Sequence, residues 1–496
     1  STALKFKNKT AMKFGNMSID FNQALEQVET FASHLETEEM SAGSVIGAFL
    51  ENGFAMPLVA LSCSKLGATI IPLATSLKYH QVDKVMKMAS PDCLVVTEKN
   101  KNKILFALNN INHQTVRLIV LKSNSDTTVV EVILFPKPEF KSSKSRPDCF
   151  VLNFTSGSTG NPKPVCISEK AKLARVQKGT IALFDLSFND TILISTPQYH
   201  SLGFRQSLVP LVLGATAIIL PSFSPRIWVN AILKNKVSFT ISVSSQLAQI
   251  ITVISPKKLR SIDCLRVLVS SSAPFNKETR DACLRSMHCE IYEVYGASEA
   301  GIATIKKLNK DQKQDNSVGR VPHYLDIKIF DASSRVCVQQ DGVIGEIGIK
   351  SPMNFNRYFM SDSETKKQFL DGYFLTGDLG YFVDQELYFS GRVKDTIQNG
   401  GITVYPADVE NVVRKFNGIV DACVVGILDE FFNEKIHLVY VSERSIDENS
   451  LYRFLFLELP EWQLPKKIKK VNRIPLSPIG KVDRDAVKNI FIIKQQ

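Results

Sequence analysis

A nine-residue run, Thr155-Ser-Gly-Ser-Thr-Gly-Asn-Pro-Lys163, follows the apolar stretch Phe150-Val-Leu-Asn-Phe154. Gly157 and Gly160 allow backbone conformations and approach distances that a Cβ would forbid. Successive N–H groups, with the hydroxyls of Thr155, Ser156, Ser158 and Thr159, can line an anion-binding concavity, and Lys163 adds a point charge. A flexible linker has a similar composition, but the preceding strand and the Pro-Lys exit argue for phosphate. The spacing is not that of a Walker A loop, because Gly157, Gly160 and Lys163 do not fit G-x-x-x-x-G-K-[ST].

Further downstream lie Tyr295-Gly-Ala-Ser-Glu299, Thr376-Gly-Asp-Leu379, Gly391-Arg-Val-Lys-Asp395 and Pro475-Leu-Ser-Pro-Ile-Gly-Lys481-Val-Asp-Arg484. A Glu after a glycine turn can hold a hard cation that bridges phosphate oxygens. An Asp can accept two hydrogen bonds from a vicinal diol. Each element alone is more often a plain turn; their order and spacing carry the argument. No Ser-His-Asp set and no paired-carboxylate signature is present.

The elements that must position these residues read as α/β. Apolar residues at Phe21, Leu25, Val28, Phe31, Ala32 and Leu35 have a helical period. Short, wholly apolar strands follow at Val45–Leu50, Thr69–Leu73, Cys93–Thr97 and Val116–Leu121, with helices over Ala55–Leu66 and Leu77–Met88 between them. Such alternation implies parallel-type sheets covered on both faces. After the glycine run, strands fall at Thr191–Ser195, Ala217–Leu220, Val237–Val243, Leu265–Val269 and Ile291–Val294. From about residue 324 the texture changes to alternating strands, which predicts a small antiparallel barrel or sheet. Beyond Gly391-Arg392 comes a compact α+β segment, with helices over Pro406–Phe416 and Asp447–Leu459 and strands at Ile419–Leu428 and Ile436–Val441. The organisation expected is a large domain over 1–391, a hinge at 392–395 and a small mobile α+β domain over 396–496.

Composition narrows the class. The chain has 496 residues, 44% hydrophobic and 22% charged, as globular proteins have. No run approaches the ~18 apolar residues of a membrane helix, and Ser1-Thr-Ala-Leu-Lys-Phe-Lys carries no apolar leader core. Nine cysteines, an odd number without a C-x-x-C, read as reduced thiols, and a cytoplasmic protein is expected. The net charge of +11 comes from scattered lysines, with clusters at Lys99–Lys103, Lys141–Arg146 and Lys466–Lys470 but no nucleic-acid module. The basic surface suits an acidic small partner such as a nucleotide, coenzyme A or an acidic carrier protein.

Taken together and in order, these motifs resemble the adenylate-forming superfamily: acyl- and aryl-CoA ligases, peptide-synthetase adenylation domains and luciferases. The resemblance runs from Leu50-Glu-Asn-Gly53 to Arg484. It implies ATP-dependent activation of a carboxylic acid to an acyl-adenylate, with pyrophosphate released and the acyl group passed to a thiol. The cofactors implied are ATP and Mg²⁺, with coenzyme A or a carrier protein's phosphopantetheine as acceptor. A non-catalytic nucleotide-binding scaffold is the alternative of another class, and intact Lys163, Glu299, Asp378 and Lys481 count against it.

By the same resemblance, Thr155, Ser156, Gly157, Ser158, Thr159, Gly160 and Lys163 hold pyrophosphate. Ser272, Ala273 and Pro274 form a strand end beside adenine, Tyr295 stacks on adenine with Gly296 and Ala297 beside it, and Ser298 meets the α-phosphate. Glu299 holds Mg²⁺, Asp378 binds ribose and Arg392 contacts ribose or phosphate. Lys394 is the pivot, and Lys481 reaches between the substrate carboxylate and the α-phosphate. Gly400 and Gly401 line the thiol tunnel. Tyr199, His200, Arg205, Ser271, Val294 and Gly301 surround the acid, with His200 beside its carboxylate, although a histidine at a strand end is commonly structural. Three departures stand out. Pro164 replaces a usual glycine, removing a donor. Serines at 271 and 272 narrow the adenine floor, and Gln398 stands where many members carry lysine. No aspartate accompanies Tyr199 to pair a substrate ammonium, so the acid is expected to lack an α-amino group. Arg205 has two readings: its head reaches solvent along an apolar stem, or it faces the pocket and pairs with a second carboxylate or a phenol.

Overall fold

The computed structural model describes residues 2–109, 116–134, 149–155, 163–272, 275, 277–310, 317–338, 340–359, 361–399, 402–429, 433–476 and 482–492. The chain divides into two compact units, 1–313 with 322–326 and 350–374, and 314–321 with 327–349 and 375–496.

In the first unit, one sheet runs in the order Met17–Asp20, Thr10–Phe14, Thr216–Ile219, Thr191–Ile194, Phe239–Val243, Val267–Ser271, Glu290–Ala297, Gly301–Leu308. Its inner pairs from Thr10–Phe14 to Glu290–Ala297 are parallel. The strand Thr191–Ile194 lies between the next two strands of the chain, so the connection reverses direction there. Open α/β sheets bind ligands outside the carboxyl ends of the strands at such a reversal. The segment that leaves this point is Ser195–His200.

A second sheet of the same unit is parallel through Val151–Thr155, Thr69–Pro72, Val45–Phe49, Cys93–Thr97 and Arg117–Leu121. Successive residues of its strands face opposite cores. Ile46, Ile70, Val95 and Ile119 join a cluster that also holds Ile192, Phe239, Val267 and Val294 of the first sheet. Val45, Ile71, Leu94, Val96 and Leu118 pack on the other side against Val82, Val85 and Ile104. That is the two-sided burial expected of parallel sheets. The helix Ala55–Leu66 ends on Gly67 at φ +68°, the left-handed cap that glycine adopts without penalty.

Four elements differ from the sequence expectation. The run Lys163–Ile167 returns as a strand antiparallel to Val151–Thr155, pairing Thr155 with Lys163. The helices Glu98–Asn109 and Ser201–Leu213 and the strand Val129–Leu134 lacked a clear period. The helix Ser201–Leu213 hides its period because it is buried on nearly every side, with Arg205, Gln206 and Ser207 among its buried residues.

The second unit holds antiparallel hairpins, Asp326–Phe330 with Cys337–Val338 and Tyr373–Val383 with Glu386–Arg392, the units dividing after Phe374. Its last hundred residues form an α+β body in which Ile419–Asp429 pairs with Asn433–Ser442. Helix Glu448–Glu458 begins on the Asp447 side chain, which accepts from the Asn449 and Ser450 amides. All nine cysteines are free thiols. Among the described residues no helix is long and apolar enough to cross a membrane.

Gly203 fixes the start of the helix that leaves the sheet reversal. A Cβ there would lie 2.2 Å from the Pro197 carbonyl oxygen. Gly203→Ala is therefore expected to cost about 1–3 kcal/mol through forced overpacking, visible as a lower Tm, whereas Gly342→Ala, facing open space at φ +80°, tests backbone strain alone.

Candidate active site at the carboxyl ends of the parallel strands

The loop Ser195–His200 is held by buried amides. The Gln198 amide N–H donates to Asn52 Oδ1 at 2.8 Å, Gly53 N–H donates to Gln198 Oε1 at 2.7 Å, and Gln198 Nε2 donates to Ser207 Oγ at 2.9 Å. Asn52 in turn donates to the Leu220 carbonyl. Thr196 Oγ1 donates to Gln206, whose Nε2 donates to the Ile241 carbonyl. A satisfied buried network of this kind specifies one conformation. It explains why Asn52 begins the ordered motif set.

His200 therefore sits at the N-cap of the helix Ser201–Leu213, in extended backbone conformation and without a side-chain cap bond. Its ring stands 4.4 Å from that of Tyr199. The imidazole reaches solvent, yet the surrounding protein desolvates it and lowers its pKa below 6.5. At neutral pH it is uncharged. Burial likewise raises the Tyr199 phenol.

Two strand ends face the same edge. Val267–Ser271 pairs Ser271 with Val243 and Ser270 with Glu293. Ser272 then takes φ +77°, the left-handed region that favours glycine, so the serine departure carries backbone strain. Tyr295, Gly296 and Ala297 end the strand Glu290–Ala297, and Ser298 and Glu299 form the turn into Gly301–Leu308. The hairpin is tight: a Cβ on Gly296 would lie 2.0 Å from the Gly301 carbonyl oxygen, and Gly301 itself adopts φ +78°. Val294 is buried in the cluster that lines this end of the sheet, with Tyr199 and Leu202 packed against it.

The turn is gripped by a residue that the motifs do not contain. Arg175 is 2% exposed and donates from Nε to the Met353 carbonyl at 2.8 Å, from Nη1 to Ser298 at 2.8 Å and from Nη2 to Glu299 at 2.7 Å. The Glu299 carboxylate is hydrogen-bonded to the Tyr358 hydroxyl, and burial together with Glu299 pushes that phenol up. Glu299 is a single carboxylate at a strand-end turn, which suits a hard cation completed by phosphate oxygens and water. Among the described residues no group of three ligating side chains could hold a metal by itself.

Beside Arg175 lie Lys172, one helical turn earlier, and Arg205. Both are buried, at 2% and 7% exposure. Arg205 does not reach solvent, which overturns the first of its two readings. Lys172 Nζ stands 4.6 Å over the Phe204 ring, a contact worth about 0.5–2 kcal/mol, and neither it nor Arg205 Nε has a hydrogen-bond partner among the described residues. Burial first, then Arg175 and Arg205, drives the Lys172 ammonium well below 10.5. Burial and Arg205 lower Arg175 to about 9, with Glu299 opposing. Burial lowers Arg205 to about 10, with Tyr324 opposing. A buried charge left without a partner costs about 3–5 kcal/mol. Lys172 and Arg175 gave no sequence signal, because they resemble the solvated face of a short helix, whereas Arg205 stood out as a cation in an apolar segment.

The second unit carries its own pair. The antiparallel register sets Asp378 opposite Arg392, and Arg392 Nε lies 3.2 Å from Asp378 Oδ1. The Gly377 amide, at φ +72°, donates to Glu346 Oε1. Lys394 is exposed in the short turn Val393–Asp395. Arg484 ties Asp395 at 3.4 Å to Glu410 at 2.8 Å, fixing the chain three residues after Lys481. Gln398 Nε2 donates to Thr403. Ser156, Gly157, Ser158, Thr159, Gly160, Ala273, Pro274, Gly400, Gly401 and Lys481 lie outside the described residues; Thr155 and Lys163 are placed by their backbone alone.

The sequence model of the family described as AMP-binding enzyme matches residues 1–359. The chain is 26% identical to an indoleacetate–CoA ligase of Aromatoleum aromaticum over 98% of this chain and 96% of that protein. It is 26% identical to a 2-succinylbenzoate–CoA ligase of Bacillus licheniformis, covering 96% of each. The fold superposes on ATP-bound MatB from Rhodopseudomonas palustris with a TM-score of 0.84 at 22% identity, covering 99% of this chain and 98% of that one.

Arg175→Met leaves three carbonyls without their donor. It is expected to lower stability by about 1–3 kcal/mol for each carbonyl left unsatisfied and to lower kcat more than it raises the KM for ATP, measured in steady state at a temperature where the variant is folded. Because the fold depresses the His200 pKa, neutral His200 contributes stability above about pH 6.5 that is lost as pH falls through the lower folded value. The acid limb of kcat/KM is expected to lie below 6.5, and His200→Gln should flatten it while lowering kcat/KM about tenfold; a limb that persists in His200→Gln belongs to another group.

Proposed function

Because the chain belongs to the AMP-binding enzyme family, we propose that it activates a carboxylic acid lacking an α-amino group as an acyl-adenylate and transfers the acyl group to coenzyme A. The observation that carries this is the meeting, at one edge of one sheet, of the Tyr199-His200 loop, the Ser271-Ser272 strand end and the Tyr295–Glu299 turn. A carboxylate is already a competent nucleophile toward the α-phosphorus of ATP, so the first step needs no general base. What it needs is in-line positioning and donors for the developing charge. Neutral His200 suits the first need, since it can donate a hydrogen bond to the acid without holding it as a tight ion pair.

The roles follow residue by residue. The run from Thr155 to Lys163 cradles pyrophosphate, Tyr295 stacks on adenine, and Ser298 meets the α-phosphate. Asp378 and Arg392 take the ribose, and Glu299 supplies the protein ligand to Mg²⁺, which neutralises phosphate charge when bound. Residues 1–391 hold ATP and acid, 392–395 act as the hinge with Lys394 as pivot, and 396–496 act as the lid, bringing Lys481 to the first step and Gly400-Gly401 to the second. Support for coenzyme A as acceptor comes from the CoA ligases among the relatives. Gln398, turned toward Thr403 rather than offering a cation, is the one feature that favours a carrier protein's phosphopantetheine instead.

Acid-dependent ATP–pyrophosphate exchange tests the reading. Aromatic, fatty and dicarboxylic acids are offered, and Lys481→Ala is expected to cut exchange by about 10²–10³. Acids that support exchange are then offered with coenzyme A. Thioester formation is expected, and transfer to a carrier protein alone would move the acceptor assignment.

A further inference from the structure

Lys172, Arg175 and Arg205 form a cluster of three cationic side chains inside the first unit, each at least nine-tenths buried. Arg175 spends its donors on three carbonyls of the Ser298-Glu299 turn and Met353. The other two have nothing comparable. Lys172 Nζ, Arg205 Nε and the Tyr324 hydroxyl are all buried without a hydrogen-bond partner among the described residues. No described carboxylate offsets Lys172 or Arg205; Arg205 has only the Tyr324 phenol, which burial keeps protonated, acting in its favour. Glu299, the carboxylate that acts on Arg175, is shared with Tyr358. The surroundings are apolar: Phe204, Val176, Val294 and Ile302 belong to one buried cluster.

Buried cations of this kind are stable only when an anion completes them. Arg205 lies in the helix that His200 caps, five residues further on, which is roughly 7.5 Å along the helix axis. The helix of Lys172 and Arg175 continues directly into a π-turn, Gln177–Ala182, a local geometry that recurs at functional sites. The guanidinium fork of Arg205 matches a planar carboxylate.

Resting on the acid-activation reading above, we propose that Lys172 and Arg205, with the Tyr324 hydroxyl, receive a second carboxylate of the substrate, and that the acid is therefore a dicarboxylic acid. The reacting carboxylate stays beside His200; the distal one supplies the anion that the described residues do not. Arg175 stays committed to the turn.

The test pairs each diacid with its monomethyl ester, which keeps length and removes one charge, in ATP–pyrophosphate exchange. Across a series of chain lengths, the natural chain is expected to prefer at least one diacid over its own ester at least tenfold in kcat/KM. In Arg205→Met, and separately in Lys172→Met, the diacid-to-ester ratio should fall to about one. Without ligand, the Tm of both variants should stay level or rise, because an uncompensated buried cation is replaced by a side chain of similar volume. The Tm increase that the diacid gives the natural chain should vanish in both. A natural-chain ratio of one or less, or a ratio that Arg205→Met and Lys172→Met leave unchanged, overturns the proposal. A fall in ligand-free Tm with equal loss for diacid and ester also overturns it, assigning the cluster a structural role. Exchange with no acid at all, while ATP still binds, overturns the acid-activation reading itself.

Discussion

A guanidinium shut away from water must be given acceptors by the backbone, and Arg175 takes three of them from a single bend of chain and its neighbour. This constraint organises the first unit. The carbonyls of Ser298 and Glu299 point inward to Arg175, which fixes the turn between two long strands of the sheet. The glycines around it are consequences of the same closeness. Gly301 has the Arg175 stem 3.4 Å from where a Cβ would be, and Gly179 has the Met353 sulfur at 2.6 Å. Hydrogen bonds to a charged donor are about twice as strong as neutral ones, and here three converge on one group. The turn is thereby rigid before any ligand arrives, which is what electrostatic stabilisation of a developing charge requires.

The legible part of this architecture was local. Wholly apolar runs of five residues became parallel strands because both of their faces are covered, and Asp447 and Gly67 ended their helices for reasons visible in their side chains. The motif residues at 271–272 and 295–299 fall at strand ends of one sheet, and Thr155 and Lys163 at paired strand ends of the other. The parts that were not legible depend on neighbours distant in sequence. Lys163–Ile167 is a strand only because Val151–Thr155 is there to pair it. The helix Ser201–Leu213 has no polar face because two sheets and the helix of Lys172 enclose it, so its Gln206 and Ser207 serve buried hydrogen bonds instead of solvent. Arg175 and Lys172 sit on a short helix where a charged side chain ordinarily means water. Nothing in their own segment distinguishes the buried case.

In the second unit, two residues that resemblance assigns to the same nucleotide are each other's partners. Asp378 and Arg392 are directly opposed across an antiparallel pair. The pair fixes the two side chains against each other across the hairpin. Arg484 does the same for the tail: bridging Asp395 and Glu410, it couples the turn that contains Lys394 to the segment that follows Lys481.

The two basic features of the first unit, Arg175 satisfied and Lys172 with Arg205 unsatisfied, differ in what they ask of the molecule. A satisfied buried charge contributes rigidity and is indifferent to substrate. An unsatisfied one lowers stability until an anion arrives, and by linkage that deficit returns as affinity for the state that carries the anion. On the reading proposed above, the helix that His200 caps also carries Arg205, so one element would serve both ends of a substrate. Lys172 adds a further constraint, since its ammonium is weakened by both arginines. A carboxylate drawn into the cluster restores its charge, and each of the two is then stabilised by the other. Discrimination built on leaving buried polar groups unpaired rejects the wrong ligand far more strongly than an apolar pocket of the right size can. The cluster's instability without an anion is therefore the same property as its selectivity.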